Sequence, residues 1–516
     1  MSVFSVPRML VALAAMAARC PEPARAAEIK RVELVNEARP GEPRGLANAA
    51  ALEKTLQVFA GRADSASQRE ALADAVLQHY QTAGWPVVDV SVERARGGVV
   101  RVHISEGRFG RISVEGGTAS MRQAVLAPWQ RRAGTPLTAE AISTELDWVH
   151  RNPLHAATAG FAPGEVPATA DTTVTLQGTR SWQFATGYRD DGSPPLERGR
   201  FFARVEQADA LGIPSWWSLE GTTAADPDEY RSLNGSLRIF LPSHREVVLG
   251  GYVAQAGSTT ALLPGFDAVS ELEAWNVSAR LVTPLPAWRG WHSDLSAGAE
   301  FCRLDSAVET GCVAVDGTAD TLLLTAAVSA NRRRGAWRTD VDAGILWSPG
   351  GITDAADDAD HAALRYGASA DYTMLRAGAR VQRDFDNGWT ALGRASGQWT
   401  SEPVVPVQEF SPAGAQGVRG FASSSVLGDS GLLGSLEILT PLLPVPEAVS
   451  GLRLRAAAFL DAAVVHDAVH DTDDSPASAG AGLRLQWHQS LGMAVDYGWR
   501  LTDPGGRLHV SLRLEF

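Results

Sequence analysis

The sequence predicts a C-terminal 16-stranded transmembrane antiparallel β-barrel preceded by two small α+β domains. Three features predict this fold class: an N-terminal export signal, an α+β unit that repeats, and alternating apolar and polar residues that continue to the C-terminus. The chain has 516 residues, whereas an ordinary globular domain has roughly 150. We therefore expect several structural units.

Composition excludes several classes of protein. Charged residues make up 20% of the chain and hydrophobic residues 45%, which excludes an intrinsically disordered protein. The longest purely apolar run, Met9–Ala18, is shorter than the ~20 residues that a transmembrane helix needs. The formal net charge of −13 argues against a nucleic-acid partner.

The N-terminus has the pattern of a secretory signal peptide. Arg8 provides the positive charge, Met9–Ala18 the apolar segment, and Ala24–Ala26 a small-x-small cleavage site. We expect residues 1–26 to be removed, which exports the mature chain to an oxidising compartment. Cys302 and Cys312 are then candidates for a loop disulfide, with two unpaired thiols as the alternative.

Two similar units follow the signal, and repetition at about 75 residues predicts an array of small domains. Each unit is expected to have the order β-α-α-β-β. The first unit, 28–107, contains predicted strands at 29–35, 87–92 and 99–104 and helices at 46–59 and 67–81. The second unit, 108–179, contains predicted strands at 109–114, 158–161 and 172–177 and helices at 121–132 and 138–150.

Residues 180–516 have the texture of a membrane barrel. In the last strand Leu508 and Leu512 alternate with polar residues such as His509 and Arg513, and earlier segments repeat this period. Charged residues opposite an apolar face fit a wet lumen with lipid outside, while a soluble sandwich is the alternative. Sixteen strands in 337 residues (516 − 179) leave about 21 residues per strand and connection, enough for a tilted span.

A long loop, 402–430, precedes the last five predicted strands and carries the most specific motif. It contains Val418, Arg419, Gly420 and Phe421, followed by Gly428, Asp429 and Gly431. These residues resemble the Val-Arg-Gly-Phe motif and trailing Gly-Asp-x-Gly of two-partner secretion transporters of the outer membrane. This is the TpsB, or ShlB/FhaC/HecB, family, which belongs to the BamA-like superfamily. The resemblance implies that the loop folds back into the pore.

A second motif lies on a later strand. Residues 459–463 resemble the family's Phe-x-Asp-x-Gly pattern, with Ala463 in place of the usual glycine. Strand parity places Phe459 and Asp461 on the lumen side, and Glu437 on the preceding strand also points inward. The resemblance implies that Asp461 pairs with Arg419; a surface loop capped by Arg419 is the alternative. Parity also predicts three further lumen-facing residues: Arg453, Arg455 and Arg484.

The N-terminal units resemble POTRA domains, the periplasmic domains of this superfamily. Gly84-Trp85 and residues 104–108 resemble the first domain, and Asn152-Pro153 resembles the second. Two such domains fit a two-partner transporter. Many members have a plug helix before the first domain, whereas here the first strand is expected near Ile29. We therefore expect the 402–430 loop alone to plug the pore.

The residues predict neither an enzyme nor a cofactor site. His466 and His470 lie near several aspartates, but an external, solvated acidic loop explains them better than a metal site. A second acidic stretch is expected to be such a loop; it contains Asp354, Asp357, Asp358 and Asp360.

The resemblance implies a pore that translocates a large exoprotein of the haemolysin or adhesin type from the periplasm to the cell surface, known as type V secretion. Expected partners are an unfolded exoprotein with an N-terminal secretion domain, held by the POTRA domains, and outer-membrane lipid and lipopolysaccharide. Two alternatives stay open. A BamA/TamA-like assembly factor would lack an adjacent exoprotein gene, and a passive porin would conduct openly.

Overall fold

In a computed structural model of the chain, the described residues are 28–36, 49–93, 96–177, 181–193, 196, 198–263, 266–310, 313–446 and 450–516. The predicted signal peptide, residues 1–26, lies outside them. No helix in these ranges is long and apolar enough to cross a membrane.

The first α+β unit contains a three-stranded sheet and two helices. Its elements are β1 (Arg31–Asn36), α1 (Ala49–Leu56), α2 (Ala66–Thr82), β2 (Val88–Val92) and β3 (Val99–Glu106). The sheet order is β1-β3-β2, so that β1 and β2 are its edges. Ser65 caps α2 by accepting a hydrogen bond from the Gln68 amide. The alternating residues Val100, Val102 and Ile104 of β3 are fully buried in the core of this unit.

The second unit has the same sequence of elements. It contains β4 (Arg108–Glu115), α3 (Ala119–Gln130), α4 (Ala139–His150), β5 (Ala156–Pro163) and β6 (Thr169–Gln177). The sheet order is β4-β6-β5, which makes β5 an edge strand. Every predicted helix and strand of the two units is present, with ends that differ by a few residues.

The remaining strands close into an antiparallel barrel, which confirms the predicted fold class. The strands are β7 (Trp182–Arg189), β8 (Arg200–Ala208), β9 (Ser215–Thr223), β10 (Tyr230–Leu241), β11 (Arg245–Leu263), β12 (Phe266–Trp288), β13 (Trp291–Thr310), β14 (Val313–Arg334), β15 (Trp337–Pro349), β16 (Asp371–Asp384), β17 (Thr390–Thr400), β18 (Ser430–Leu439), β19 (Leu452–Asp467), β20 (Thr472–Asp474), β21 (Ala477–Trp487), β22 (Leu491–Arg500) and β23 (Gly506–Glu515). Pairing of β23 with β7 closes the ring. The three-residue strand β20 extends a hairpin, so sixteen strands form the wall. A short helix, α5 (Asp358–Leu364), lies between β15 and β16.

The predicted alternation is visible in the burial of each strand. On β19, Leu460 and Val464 are half exposed on the outside, while Asp461 and Ala463 between them are buried inside. The same parity turns Glu437 of β18 inward. Because the side-chain period of a strand is two residues, the outside can be apolar along its whole length while the inside holds charges.

The disulfide prediction is wrong for Cys302, whose thiol is free and buried in β13. Cys302 lies eight residues before Thr310, which pairs with Val313 at the end of the β13–β14 hairpin. Eight residues of strand span about 26 Å, whereas the Cα atoms of a disulfide are ~4.4–6.8 Å apart. Cys312 itself lies outside the described residues.

Candidate functional site: a loop fastened inside the barrel

The segment between β17 and β18, which corresponds to loop 402–430, folds tightly on itself. The Val418 amide donates to the Pro412 carbonyl at 2.7 Å. Gly420 has a φ of +95°, and a Cβ atom on it would lie 2.7 Å from the Gly498 carbonyl oxygen of β22. The loop backbone can therefore approach the barrel wall this closely only with glycine at position 420.

Arg419 and Asp461 are in contact, as the sequence motifs implied. The Arg419 guanidinium donates through Nε to Oδ2 of Asp461 at 2.8 Å and through Nη2 to Oδ1 at 3.0 Å. The Arg419 amide also donates to Oδ2, at 3.2 Å. Asp461 is fully buried and Arg419 is 4% exposed. This is a bidentate, charge-assisted pair held away from solvent.

The barrel wall surrounds this pair with further charges. Nη1 of Arg419 donates to Glu437 at 2.6 Å, and Arg484 donates to both Glu437, at 3.1 Å, and Asp496, at 2.7 Å. We call Arg419, Glu437, Asp461, Arg484 and Asp496 the inner cluster. Two guanidinium groups thus meet three carboxylates, all but Arg419 supplied by strands of the wall.

Two aromatic rings complete the seat of the motif. The ring of Phe459 lies 3.4 Å from Cζ of Arg419, a cation–π contact. The ring of Phe421 lies under the guanidinium of Arg500, at 4.9 Å. Phe421 also packs with Val418 and Ala463 in a buried apolar cluster. Ala463, the departure from the family motif, is thus accommodated as a packing residue.

A second group of charges fastens the far end of the loop, and sequence reasoning missed it. Arg365 donates to both oxygens of Asp429, at 2.6 and 3.0 Å, and to Asp467 at 2.9 Å. Glu409 lies 3.3 Å from the same guanidinium. We call Arg365, Glu409, Asp429 and Asp467 the outer cluster. It joins the loop after β15, the 402–430 loop and the end of β19.

Asp429 is held from several sides. Besides Arg365, its carboxylate accepts hydrogen bonds from the amides of Val404, at 2.8 Å, and Ala468, at 2.9 Å. Burial raises the pKa of Glu409 above its ordinary value; Arg365 acts against this shift, and Asp429 and Asp467 add to it. In the outer cluster three carboxyl groups therefore surround a single guanidinium, that of Arg365.

The segment 351–370 also enters the barrel mouth, which corrects two expectations. Its acidic stretch is solvent-exposed as expected at Asp354, Asp357 and Asp358, but it is not all loop, because Asp357 and Asp360 form a capping box at the start of α5. His361 is fully buried and lies 3.1 Å from Thr321 of β14. Ala319, Leu364, Ala368 and Val405 form an apolar cluster. The 402–430 loop is thus not the only segment that fills the barrel.

Comparison with known proteins identifies the family. The profile of the family "Haemolysin secretion/activation protein ShlB/FhaC/HecB" matches residues 169–485. The chain belongs to this family. No curated protein matches the sequence significantly.

Three solved structures share the fold of this chain. CdiB from Escherichia coli superposes with a TM-score of 0.75 at 16% identity, over 95% of this chain and 90% of that one. CdiB from Acinetobacter baumannii gives 0.66 at 14% identity, over 96% and 91%. BamA from Haemophilus ducreyi lacking POTRA domains 1–3 gives 0.51 at 14% identity, over 95% and 100%.

Membership of the ShlB/FhaC/HecB family establishes the general role of the chain. It is a two-partner secretion transporter of the Gram-negative outer membrane, with its POTRA domains in the periplasm. A secreted exoprotein is the implied partner. This is the family that the two sequence motifs resemble.

The predicted lumen-facing arginines are not all alike. Arg484 belongs to the inner cluster, and Arg455 donates to the Thr440 carbonyl at 2.6 Å and to Thr390 at 3.0 Å. Arg453 lies nearer the start of β19 and is exposed. All three line a cavity of about 1170 Å³ at the periplasmic side of the loop. Arg189, Arg204 and Arg513 line it as well.

Within the described ranges, no group of acidic, histidine or cysteine side chains has the geometry of a metal site. His466 and His470 instead contact single aspartates, Asp473 at 2.9 Å and Asp467 at 2.7 Å.

Proposed function

We propose that this transporter recognises the N-terminal secretion domain of a large exoprotein, of the haemolysin or adhesin type, and threads the chain unfolded through the barrel. The observation that carries the proposal is the 402–430 loop, which ion pairs hold inside the barrel. A passive porin keeps a water-filled channel, whereas this lumen is occupied. Transport through it requires that the loop be released or displaced.

The POTRA domains would receive the exoprotein through their sheet edges. Strands β2 and β5 are edges, so each has backbone donors and acceptors on one side that no strand of its sheet uses. An extended segment can add to such an edge with little demand on its sequence. On β5, the exposed Phe161 offers an apolar contact beside the edge. This supports reception of an unfolded chain.

The cavity lined by six arginines would then take the chain from the periplasm. Guanidinium groups donate hydrogen bonds to backbone carbonyls and pair with carboxylates, so an extended polar or acidic segment suits the cavity. Asp384 and Glu515 are the acidic residues that line it. The apolar outside of the barrel would contact outer-membrane lipid, with lipopolysaccharide at its outer end.

The experiment is co-expression with a candidate large exoprotein whose gene lies beside that of this chain, followed by assay of the exoprotein in the medium. A variant lacking residues 28–107 should insert as a heat-modifiable barrel and export nothing. A Thr158→Pro variant, which disrupts the β5 edge, should export less than the matched Ser113→Pro variant of β4 if β5 is the receiving edge. Normal secretion by the deletion would contradict the receptor role of the first POTRA domain.

A further inference from the structure

One sector of the barrel carries arginines on its outer face. At the turn ends of β13 to β16, strand register places Arg332 opposite Trp291, Arg334 opposite Trp337, and Trp337 opposite Arg383. Residues directly opposite each other in an antiparallel pair lie on the same face. All five side chains therefore share one face of the wall.

That face is the outside of the barrel. Val328 lies four residues from Arg332 and is 42% exposed, and Leu375 lies eight residues from Arg383 and is 45% exposed. An even separation along a strand keeps two residues on one face. The apolar outer band of β14 and β16 thus ends in arginine.

Two of the three arginines, Arg332 and Arg383, lie against aromatic rings rather than carboxylates. Cζ of Arg332 lies 5.8 Å from the ring centre of Trp291, and Cζ of Arg383 lies 5.0 Å from that of Trp337. Among the described residues, no carboxylate forms an ion pair with Arg332, Arg334 or Arg383. A guanidinium stacked on a ring keeps its donors available to a phosphate.

The sector from β19 to β23 lacks this feature. On β19, β21, β22 and β23 the outer face ends in apolar residues: Leu452, Trp487, Leu491 and Leu514. The six arginines of these four strands, Arg453, Arg455, Arg484, Arg500, Arg507 and Arg513, face the lumen instead. Outward arginines at this end therefore occur on the side of the barrel from β11, where the exposed Arg245 lies opposite Leu241, to β16, and not on β19–β23.

Strand alternation places this end of the barrel at the periplasmic side. Strand β7 follows the periplasmic domains in the chain and therefore runs outward. Because the strands alternate in direction, the turns after β8, β10, β12, β14 and β16 lie at the periplasmic side. Trp and Arg at that level lie beside lipid headgroups. The outward arginines therefore face the phospholipid leaflet on the periplasmic side of the membrane. Lipopolysaccharide lies in the other leaflet.

We infer that Arg332, Arg334 and Arg383, here called the basic rim, form a binding surface for the phosphate groups of anionic phospholipid in the periplasmic leaflet. The tryptophans anchor the depth of the barrel, and the guanidinium groups select the charge of the headgroup. Lipid of this kind would collect along β13–β16 and not along β19–β23. The inference does not depend on what the barrel transports.

The test uses the full chain reconstituted in vesicles of phosphatidylcholine with increasing phosphatidylglycerol, one lipid carrying brominated acyl chains. Quenching of tryptophan fluorescence then gives the relative binding constant of the two lipids. We expect a preference for phosphatidylglycerol that falls about fivefold per arginine removed. The variant is Arg332→Gln with Arg334→Gln. The control is Arg333→Gln with Arg338→Gln, which removes the same charge from the lumen side of β14 and β15.

Loss of the preference in the outward variant and its retention in the control supports the basic rim. Arg332→Lys with Arg334→Lys, which keeps both charges, should retain most of the preference and shows whether the first variant lost more than charge. Equal loss in the control would reduce the effect to net charge and overturn the inference. So would the absence of any lipid preference in the wild-type protein. Heat-modifiability of each variant verifies that its barrel is folded.

Discussion

The inner and outer clusters fasten the same loop with the same chemistry but on different supports. In the inner cluster the partner of Arg419 is Asp461, a fully buried carboxylate on a strand of the wall. In the outer cluster Arg365 follows a short helix and Asp429 belongs to the loop itself. Strands hold side chains in fixed positions, whereas two segments between strands can move together.

This difference suggests a division of labour. The wall strands stay in place when the loop moves. When Arg419 leaves the inner cluster, the buried carboxylates of the wall therefore remain close together without its positive charge. In the outer cluster the pairs of Arg365 with Asp429 and Glu409 can stay intact while segments 351–370 and 402–430 shift as one body, whereas the pair of Arg365 with Asp467 of β19 must break. The inner cluster should therefore set the free energy of the closed pore, and the outer cluster should couple the two plugging segments.

The largest expected effect breaks the inner cluster. Asp461→Ala leaves the guanidinium of Arg419 buried without its main partner. Removing one member of a buried ion pair destabilises the folded arrangement by about 3–5 kcal/mol. The loop should become sensitive to protease in intact cells, and secretion should fall. Arg453→Ala, on the same face of β19 but without a contact to the loop among the described residues, is the control and should leave the loop protected.

Breaking the outer cluster should have a smaller effect of a different kind. Arg365→Ala leaves the buried Asp429 with backbone donors only, at a cost of about 2–3 kcal/mol. Segments 351–370 and 402–430 should lose their coupling, so that protease cleaves the first while the second stays protected. The exposed Arg231 at the outer end of β10 offers the control Arg231→Ala. Cleavage of both segments at equal rates would contradict the proposed division.

The aromatic seat of Arg419 should contribute less than its ion pair. Phe459→Leu keeps an apolar lumen-facing side chain and removes the ring under the guanidinium. A desolvated cation–π contact contributes about 2 kcal/mol, so loop protection should drop measurably while the barrel stays folded. Phe301→Leu, on the outer face of β13, is a matched control. A variant that behaves as wild type would show that the ion pairs alone hold Arg419.

The smallest effect concerns pH at the outer cluster. Because the pKa of Glu409 is raised in the closed state, its protonated form favours closure at low pH, and that contribution is lost as pH rises through the raised pKa. Glu409→Gln should remove this pH dependence and change stability at neutral pH by about 1 kcal/mol or less. Loop accessibility between about pH 4 and pH 8 measures it. Unchanged pH dependence in the variant would assign the titration to another group.

The sequence was sufficient for the inner cluster and insufficient for the outer one, for physical reasons. Side chains on a strand alternate strictly between its two faces. The sequence therefore predicted that Glu437 and Asp461 point inward, and the motif resemblance identified Arg419. Arg365 lies in a segment without period, and its partner Asp429 is 64 residues away. Nothing local marks such a contact. The aspartates that cap α5 could be seen in the sequence, but the same residues are equally typical of a solvated loop.

Cys302 shows a second limit of local reasoning. Two cysteines near a turn signal indicated a loop disulfide, but the strands β13 and β14 are long and place Cys302 far down the wall. Strand length depends on pairing partners distant in sequence, which alternation alone cannot fix. The barrel class was predictable because many strands repeat one period.

The most direct test of the account is a double-mutant cycle on Arg419 and Asp461, read by a cysteine in the loop. Ala422, buried in the closed loop, is replaced by cysteine after Cys302→Ser and Cys312→Ser, and its rate of modification reports the open population. Each single alanine variant should raise that rate by a factor of about a hundred or more. The double variant should raise it no further than the larger single effect. Single effects that simply add would show that the two residues do not hold the loop together, and would contradict the account.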